Sequence, residues 1–276
     1  MKKTLIGLVV SSACIFAGTV SADEDYKHGV PFHSESDDAV GIQSITDDSN
    51  GTLIITLTDG SSTAHQIPVN KTYNYRDYSS SAVSKVFAVS GSAVNGSVLG
   101  NLIYDTEVRH YDRSIPGQTS YSRDRKQGGE NGVGVNYSVI TLDTTGNELL
   151  LTKLERFNNA GTVLKETRTM TPGVTFRTEN MEIGKGFGSY SSLNSSKAGD
   201  SSVIQSVTLL GLEDVTVPAG SYAACLKILR HRNSSRLGGI YDRINWFCPN
   251  GVGLAKQVTM TSTTATTVTE LKTITP

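Results

Sequence analysis

Two short segments, Pro218-Ala219-Gly220 and Pro249-Asn250-Gly251-Val252-Gly253, restrict the fold of this chain more than any other feature of it. Proline presets φ and glycine reaches the conformations other residues avoid, so each segment spells a tight reversal. Around them, residues 203–212, 222–230, 240–248, 252–260 and 265–274 read as five successive strands. Reversals this short join antiparallel neighbours, so the block predicts a meander.

Alternation predicts which side chains share a face. On 222–230, Tyr222, Ala224, Leu226 and Ile228 fall together and Cys225 points away, while Ile240, Ile244, Trp246 and Cys248 fall together on the next strand. A register that sets Cys225 opposite Cys248 closes a disulfide between them, a link of about 2–4 kcal/mol through the unfolded state. The third cysteine, Cys14, lies in an N-terminal segment that reads as a secretory signal. There Lys2 and Lys3 precede an apolar run from Leu5 to Ala17, and Val20-Ser21-Ala22 forms a small-residue cleavage site. Processing instead at Cys14 would give a lipoprotein, but Ser11 stands where a leucine-like residue is expected. An exported product of periplasm, cell surface or medium is therefore expected, its two remaining cysteines paired by an oxidising compartment. No other apolar run approaches the roughly 20 residues of a membrane-spanning helix. The formal charge is −1 for the whole chain, and losing Lys2 and Lys3 makes it −3. No concentrated basic face marks a nucleic-acid partner.

Residues 1–22 are thus assigned to the signal, 23–38 to a flexible acidic tether with too little apolar surface to order itself, 39–70 to a small three-stranded β-meander and 71–276 to a large β-domain. In the meander, Leu53, Ile55 and Leu57 alternate with Thr52, Thr56 and Thr58 between the turns at Ser49-Asn50-Gly51 and Asp59-Gly60, with Ile54 out of step. Three short strands are marginal alone, so their apolar face is expected to pack on the rest of the chain or on a second copy. The meander resembles short modules of phage fibre and bacterial surface proteins, which would imply a spacer or assembly element. In the large domain, 135–143, 147–157 and 162–170 form a second meander. Leu149 and Leu151 on one face and Leu150 and Leu154 on the other place 147–157 inside a sandwich or a closed sheet. Residues 79–100 and 121–134, rich in small or polar residues, read as loops, with a short helical turn an option at 78–86. The fold class expected is all-β, antiparallel meanders forming a large half-barrel, barrel or sandwich, with the small N-terminal meander attached.

Val217-Pro218-Ala219-Gly220-Ser221-Tyr222, the strand with Cys225 and Lys227, and Trp246-x-x-Pro249-x-Gly251-Val252-Gly253-Leu254-x-Lys256 together resemble the C-terminal signature of a widespread family of exported bacterial β-domains of unknown function. The resemblance implies a β-rich, half-barrel-like domain, an unassigned ligand and no catalytic residues to carry over. It is clear over 210–256 and diffuse from Tyr73 onward, and Cys248 and Asn250 depart from the family turn. In this reading Pro218, Gly220, Trp246, Pro249, Gly251 and Gly253 are turn and packing residues.

Other chemistry is thin. His28 and His33 among Asp23, Glu24, Asp25 and Glu35 lack a fold to preset metal ligands. Asp47-Asp48-Ser49-Asn50-Gly51 lacks the later glutamate of a calcium loop. Gly184-Lys185-Gly186-Phe187-Gly188 misses the Walker spacing and reads as bulge or loop glycines. Arg230, His231, Arg232 and Arg236 read first as a solvated hairpin loop, and second as an anion contact. Tyr73, Tyr75 and Tyr78 read as packing aromatics before a sugar platform. No nucleophile motif appears, and no cofactor or metal is expected. The leading expectation is a non-enzymatic β protein with a lipid-like or other ligand, or a partner, in a groove of the large domain. Behind it stand a surface or matrix assembly protein that oligomerises through 40–69 and a cell-wall or polysaccharide hydrolase.

Overall fold

Turns this closely spaced leave each strand to pair with its neighbours in the chain, and the structure obeys that constraint except between β3 and β4 and at the closure of the ring. The computed structural model describes residues 42–47, 52–66, 71–79, 102–112, 115, 117–127, 133–145, 148–179, 181–234, 239–261 and 264–275. Strands β1 (Ile42–Asp47), β2 (Leu53–Leu57) and β3 (Ser62–His65) form a small antiparallel sheet. Twelve more follow: β4 (Thr72–Ser79), β5 (Leu102–Asp112), β6 (Gln118–Gln127), β7 (Val133–Thr145), β8 (Glu148–Phe157), β9 (Leu164–Thr178), β10 (Gly186–Ser195), β11 (Gly199–Val217), β12 (Gly220–Ser234), β13 (Gly239–Cys248), β14 (Gly253–Thr261) and β15 (Thr264–Thr275). They run up and down, and β15 closes the ring onto β4, with Leu271 opposite Tyr75, as a closed barrel. Of the half-barrel, barrel and sandwich expected, the barrel is the one formed. No helix among the described residues is long and apolar enough to cross a membrane.

Barrel diameter grows with strand number, and eight strands already enclose an interior that side chains just fill. Twelve leave more room, and the small sheet takes up part of it. Leu53 and Ile55, both fully buried, pack against Val207, Leu209, Leu226 and Ile228. Cross-strand pairing of Leu209 with Ile228 and of Val207 with Arg230 puts these residues on the inward face of β11 and β12. The meander's apolar face is therefore spent on its own barrel. The Pro249–Gly253 turn holds it there: Asn250 N donates to Ala64 O at 3.1 Å, and His65 Nδ1 lies 3.1 Å from Phe247 O.

Cys225 and Cys248 are joined, their Cα atoms 4.1 Å apart, one step beyond the paired residues Leu226 and Phe247. Trp246 is fully buried on the face of β13 opposite Phe247, flanked by Lys227 and Lys256 at 5.4 and 6.0 Å from its ring. Pro218 and Ala219 form the two-residue link between Val217 and its register partner Gly220. Gly251 (φ +75°) and Gly253 (φ +68°) hold left-handed conformations in the second turn, where a Cβ would be strained.

Several expectations are corrected. Of the loop expected at 121–134, residues 121–127, 133 and 134 are strand, in β6 to Gln127 and β7 from Val133, and 128–132 lie outside the described residues. A polar strand looks like a loop in sequence when its inward face is polar too. The β8 leucines do not segregate by simple alternation, because a bulge between Leu151 and Lys153 shifts the pleat and turns both Leu151 and Leu154 inward. The strand expected at 162–170 runs instead over Leu164–Thr178. Likewise Ala224, at φ +52°, interrupts β12, so Tyr222 and Leu226 pack in different clusters. Residues 1–41 and 80–101 lie outside the described residues, and with them the signal, the tether, His28, His33 and most of the 79–100 loop and 78–86 helix readings.

Candidate ligand-binding cavity

Inside the barrel lies a cavity of about 480 Å³ that carries most of its arginines toward one end. Up-and-down topology places the turns after β6, β8 and β12 at one end and those after β5, β7 and β13 at the other. Six of the lining arginines, Arg123, Arg156, Arg168, Arg230, Arg232 and Arg243, sit within four residues of the strand termini at the first end. Tyr111, Tyr121, Leu142, Leu151, Phe176, Phe247 and Leu254 sit within three residues of the termini at the second. Ile140 and Met170 line the middle, while Leu154 and Leu193 lie within three residues of the termini at the first end and Arg109 and Arg177 within three at the second.

On one wall the register runs Arg109, Arg123, Ser138, Arg156 and Glu166 across β5 to β9, each opposite the next. Glu107, with no exposed surface, receives Arg109 and Arg125, each at 2.5 Å. Burial pushes its carboxyl up, but Arg109, Arg125 and then Arg123 outweigh that and hold it well below the usual carboxylate range. Arg109 lies 4.5 Å over the Tyr75 ring. Arg123 is compensated less fully: burial, then the like charge of Arg125, lower it to about 10 against the smaller upward pull of Glu107. Its Nε and the Oγ of Ser138, both buried, make no hydrogen bond. Glu166 is the acid of the neighbouring cluster, bidentate with Arg168 at 2.8 and 3.0 Å and accepting from Ser195 Oγ at 2.6 Å. Those bonds, Arg168 first, hold it below its ordinary value despite burial.

The wall across the lumen repeats the pattern. In a ring of twelve, β12 and β13 stand six strands from β6 and β7, and there Arg230 pairs directly opposite Arg243. Arg230 donates to Asn245 Oδ1 at 3.1 Å and stacks 4.1 Å from the Phe176 ring; Arg232 donates twice to Gln205 Oε1. No carboxylate is among the described residues that line the cavity. At the apolar end, Arg177 donates to His65 O at 2.9 Å. The His65 imidazole, 1% exposed, contacts Phe247 O and Thr63 Oγ1, and burial lowers its pKa to about 4.

Arg230 and Arg232 thus belong to a strand of the lumen wall, not to a solvated loop, because β12 and β13 extend past the point where the charges begin. Arg236 lies outside the described residues. Tyr73 and Tyr75 are packed, with their hydroxyls donating to Gly251 O at 2.7 Å and Leu254 O at 3.0 Å; the Tyr78 side chain is not among those described. Gly184 (φ +77°) turns the chain into β10, where Gly186 and Gly188 sit in the strand. Only Asp47 of the faint calcium-loop motif is described, at the end of β1. Sequence reading missed Arg109, Arg123, Arg156, Arg168, Arg177 and Arg243. The available signal was an arginine at alternate positions, as in Arg123 and Arg125 or Arg230 and Arg232, which gives one strand face a charge.

No family model matches the chain, and no curated protein matches it. Among solved structures, a Bacteroides fragilis protein described as exported and of YmcC-like fold aligns with TM-score 0.45 and 11% identity, over 76% of this chain and 98% of that one. A Parabacteroides distasonis protein described as a lipoprotein aligns with TM-score 0.43 and 13% identity, over 76% and 96%. At that level of similarity the role of this chain is read from its own residues.

Proposed function

We propose that this is an exported, non-enzymatic protein that holds a small lipid-like ligand inside its barrel. The observation carrying the reading is the cavity of about 480 Å³ within a closed wall, a size that suits a drug-sized ligand. The groove first expected between sheets becomes a lumen. The disulfide supports an oxidising compartment, and the N-terminal signal reading accounts for how the chain reaches it.

Binding is favoured over catalysis by the kinds of group at the cavity. Its cysteine, Cys248, is bonded to Cys225, and the imidazole of His65 has both nitrogens engaged. The nearby acids Glu107 and Glu166 are each occupied by arginines, which leaves little support for the carboxylate pair of a glycosidase. Assembly through 40–69 loses its motive once Leu53 and Ile55 are buried against the barrel. Native mass spectrometry of detergent-free protein from its own host, with extraction of bound lipid, tests the reading. One copurifying species of matching size is expected. Ligand-free protein whose cavity holds only ordered water at high resolution would refute it.

A further inference from the structure

We propose that the lumen selects an anionic amphiphile: its carboxylate, sulfate or phosphate head lies at the end of the barrel where the β6–β7 and β12–β13 turns are, and its apolar body at the other. This deepens the ligand-binding reading above and rests on it.

Polarity along the barrel axis is the first argument. A neutral apolar ligand would leave the guanidiniums of one end facing hydrocarbon, at a high desolvation cost. A fully polar ligand would do the same to Leu142, Leu151 and Leu254 at the other. A molecule with one charged end and one apolar end matches the bias of both, six arginines at the first and seven apolar or aromatic side chains at the second.

The second argument is like-charge pairing. Arg109 faces Arg123 directly across β5 and β6, and Arg230 faces Arg243 across β12 and β13. Like charges directly opposite on a sheet are destabilising, and here the two pairs stand on opposite walls of one cavity. With Arg109 already held by Glu107, an oxyanion between the walls offsets the charge of Arg123 on one side and the Arg230–Arg243 repulsion on the other, and the guanidinium fork suits its geometry.

The third argument is the donors left over. Ser138, 1% exposed, lies next to Arg123 in the register; its Oγ and the Arg123 Nε are buried without a hydrogen bond, and both residues line the cavity. A hydroxyl and a guanidinium N–H side by side are an oxyanion's partners. The nearest acid in that row, Glu166, is already bound by Arg168 and Ser195.

The experiment is isothermal titration of the full exported chain, stripped of bound lipid, with decanoate, decyl sulfate, decyl phosphate, decanol and inorganic phosphate. The anionic decyl probes are expected to bind at least tenfold tighter than decanol, with affinity falling as salt rises, and the tightest of the three names the head group. Arg123→Gln and the milder Ser138→Ala are each expected to weaken the anionic probes about fivefold or more and leave decanol unchanged, in protein whose circular dichroism and melting match the parent. Decanol binding as tightly as the anions would overturn the head assignment while the lumen remains a ligand site. Inorganic phosphate binding as tightly as decyl phosphate would overturn the apolar body. If none of the five probes binds, both this inference and the ligand-binding reading fall.

Discussion

Acid should loosen the seat of the small sheet through one residue, His65. Its ring is buried where β3 meets the barrel, and desolvation lowers its pKa from 6.5 to about 4 against the smaller upward pull of Phe247 O. The unfolded chain therefore takes up this proton first. Stability from the neutral ring is whole above pH 6.5, declines as pH falls toward 4, and declines no further below it. With those two values, the loss is about 2 kcal/mol at pH 5 and approaches about 3 kcal/mol at full protonation. If the sheet leaves its seat before the barrel opens, the loss is capped at the free energy of docking Leu53 and Ile55. Glu107 does not confound the measurement at pH 5: its folded pKa lies below the ordinary 4.5, so its contribution is lost only as pH falls below that value. The assay is urea unfolding at pH 7.5 and 5.0, for the parent and for His65→Asn, whose amide can still donate to Phe247 O. The parent should lose about 2 kcal/mol more than the variant between the two pH values, and amide exchange should place the loss first in β1–β3. A difference below about 0.5 kcal/mol would refute the reasoning.

Three further outcomes are expected. Reducing the disulfide, or replacing both cysteines by alanine, opens a loop with a sequence separation of 23 and should cost about 3 kcal/mol; unchanged urea midpoints with and without reductant would contradict it. Glu107→Gln leaves the buried charge of Arg109 without its carboxylate and should cost about 3–5 kcal/mol. Thermal unfolding checks this, and a loss under about 1 kcal/mol would show that solvent reaches the cluster. At Gly173 an added Cβ would meet Leu150 Cβ at 2.8 Å and Thr152 Cγ2 at 2.9 Å. Gly173→Ala should therefore cost about 1–3 kcal/mol through overpacking of β8 against β9, and a stabilised variant would exclude that contact.

Legibility in sequence followed the range of the interaction. The strands from β11 to β15 were readable because turn residues and period-two patterns act within a few positions, and Cys225 with Cys248 followed from an adjacent pairing. Bulges were not readable: Leu151 and Leu154 face the same lumen only because they stand three residues apart while their partners on β7, Leu142 and Ile140, stand two apart. Arg123 looked like part of a loop because its strand is polar, and nothing local says that Arg109 and Ser138 stand beside it, with Arg156 beyond Ser138.

By itself, then, the sequence determined an all-β antiparallel chain, the places where it turns, and the cysteine pair that staples β12 to β13, since each depends on backbone preferences at nearby positions. Tertiary structure alone decided that the ring closes between β4 and β15, that the small sheet sits in the barrel, and that arginines from distant strands share one cavity. Closure joins segments nearly two hundred residues apart, with Tyr75 opposite Leu271. A charge that reads as solvated surface on a single strand becomes a binding wall only when the opposite side of the ring arrives.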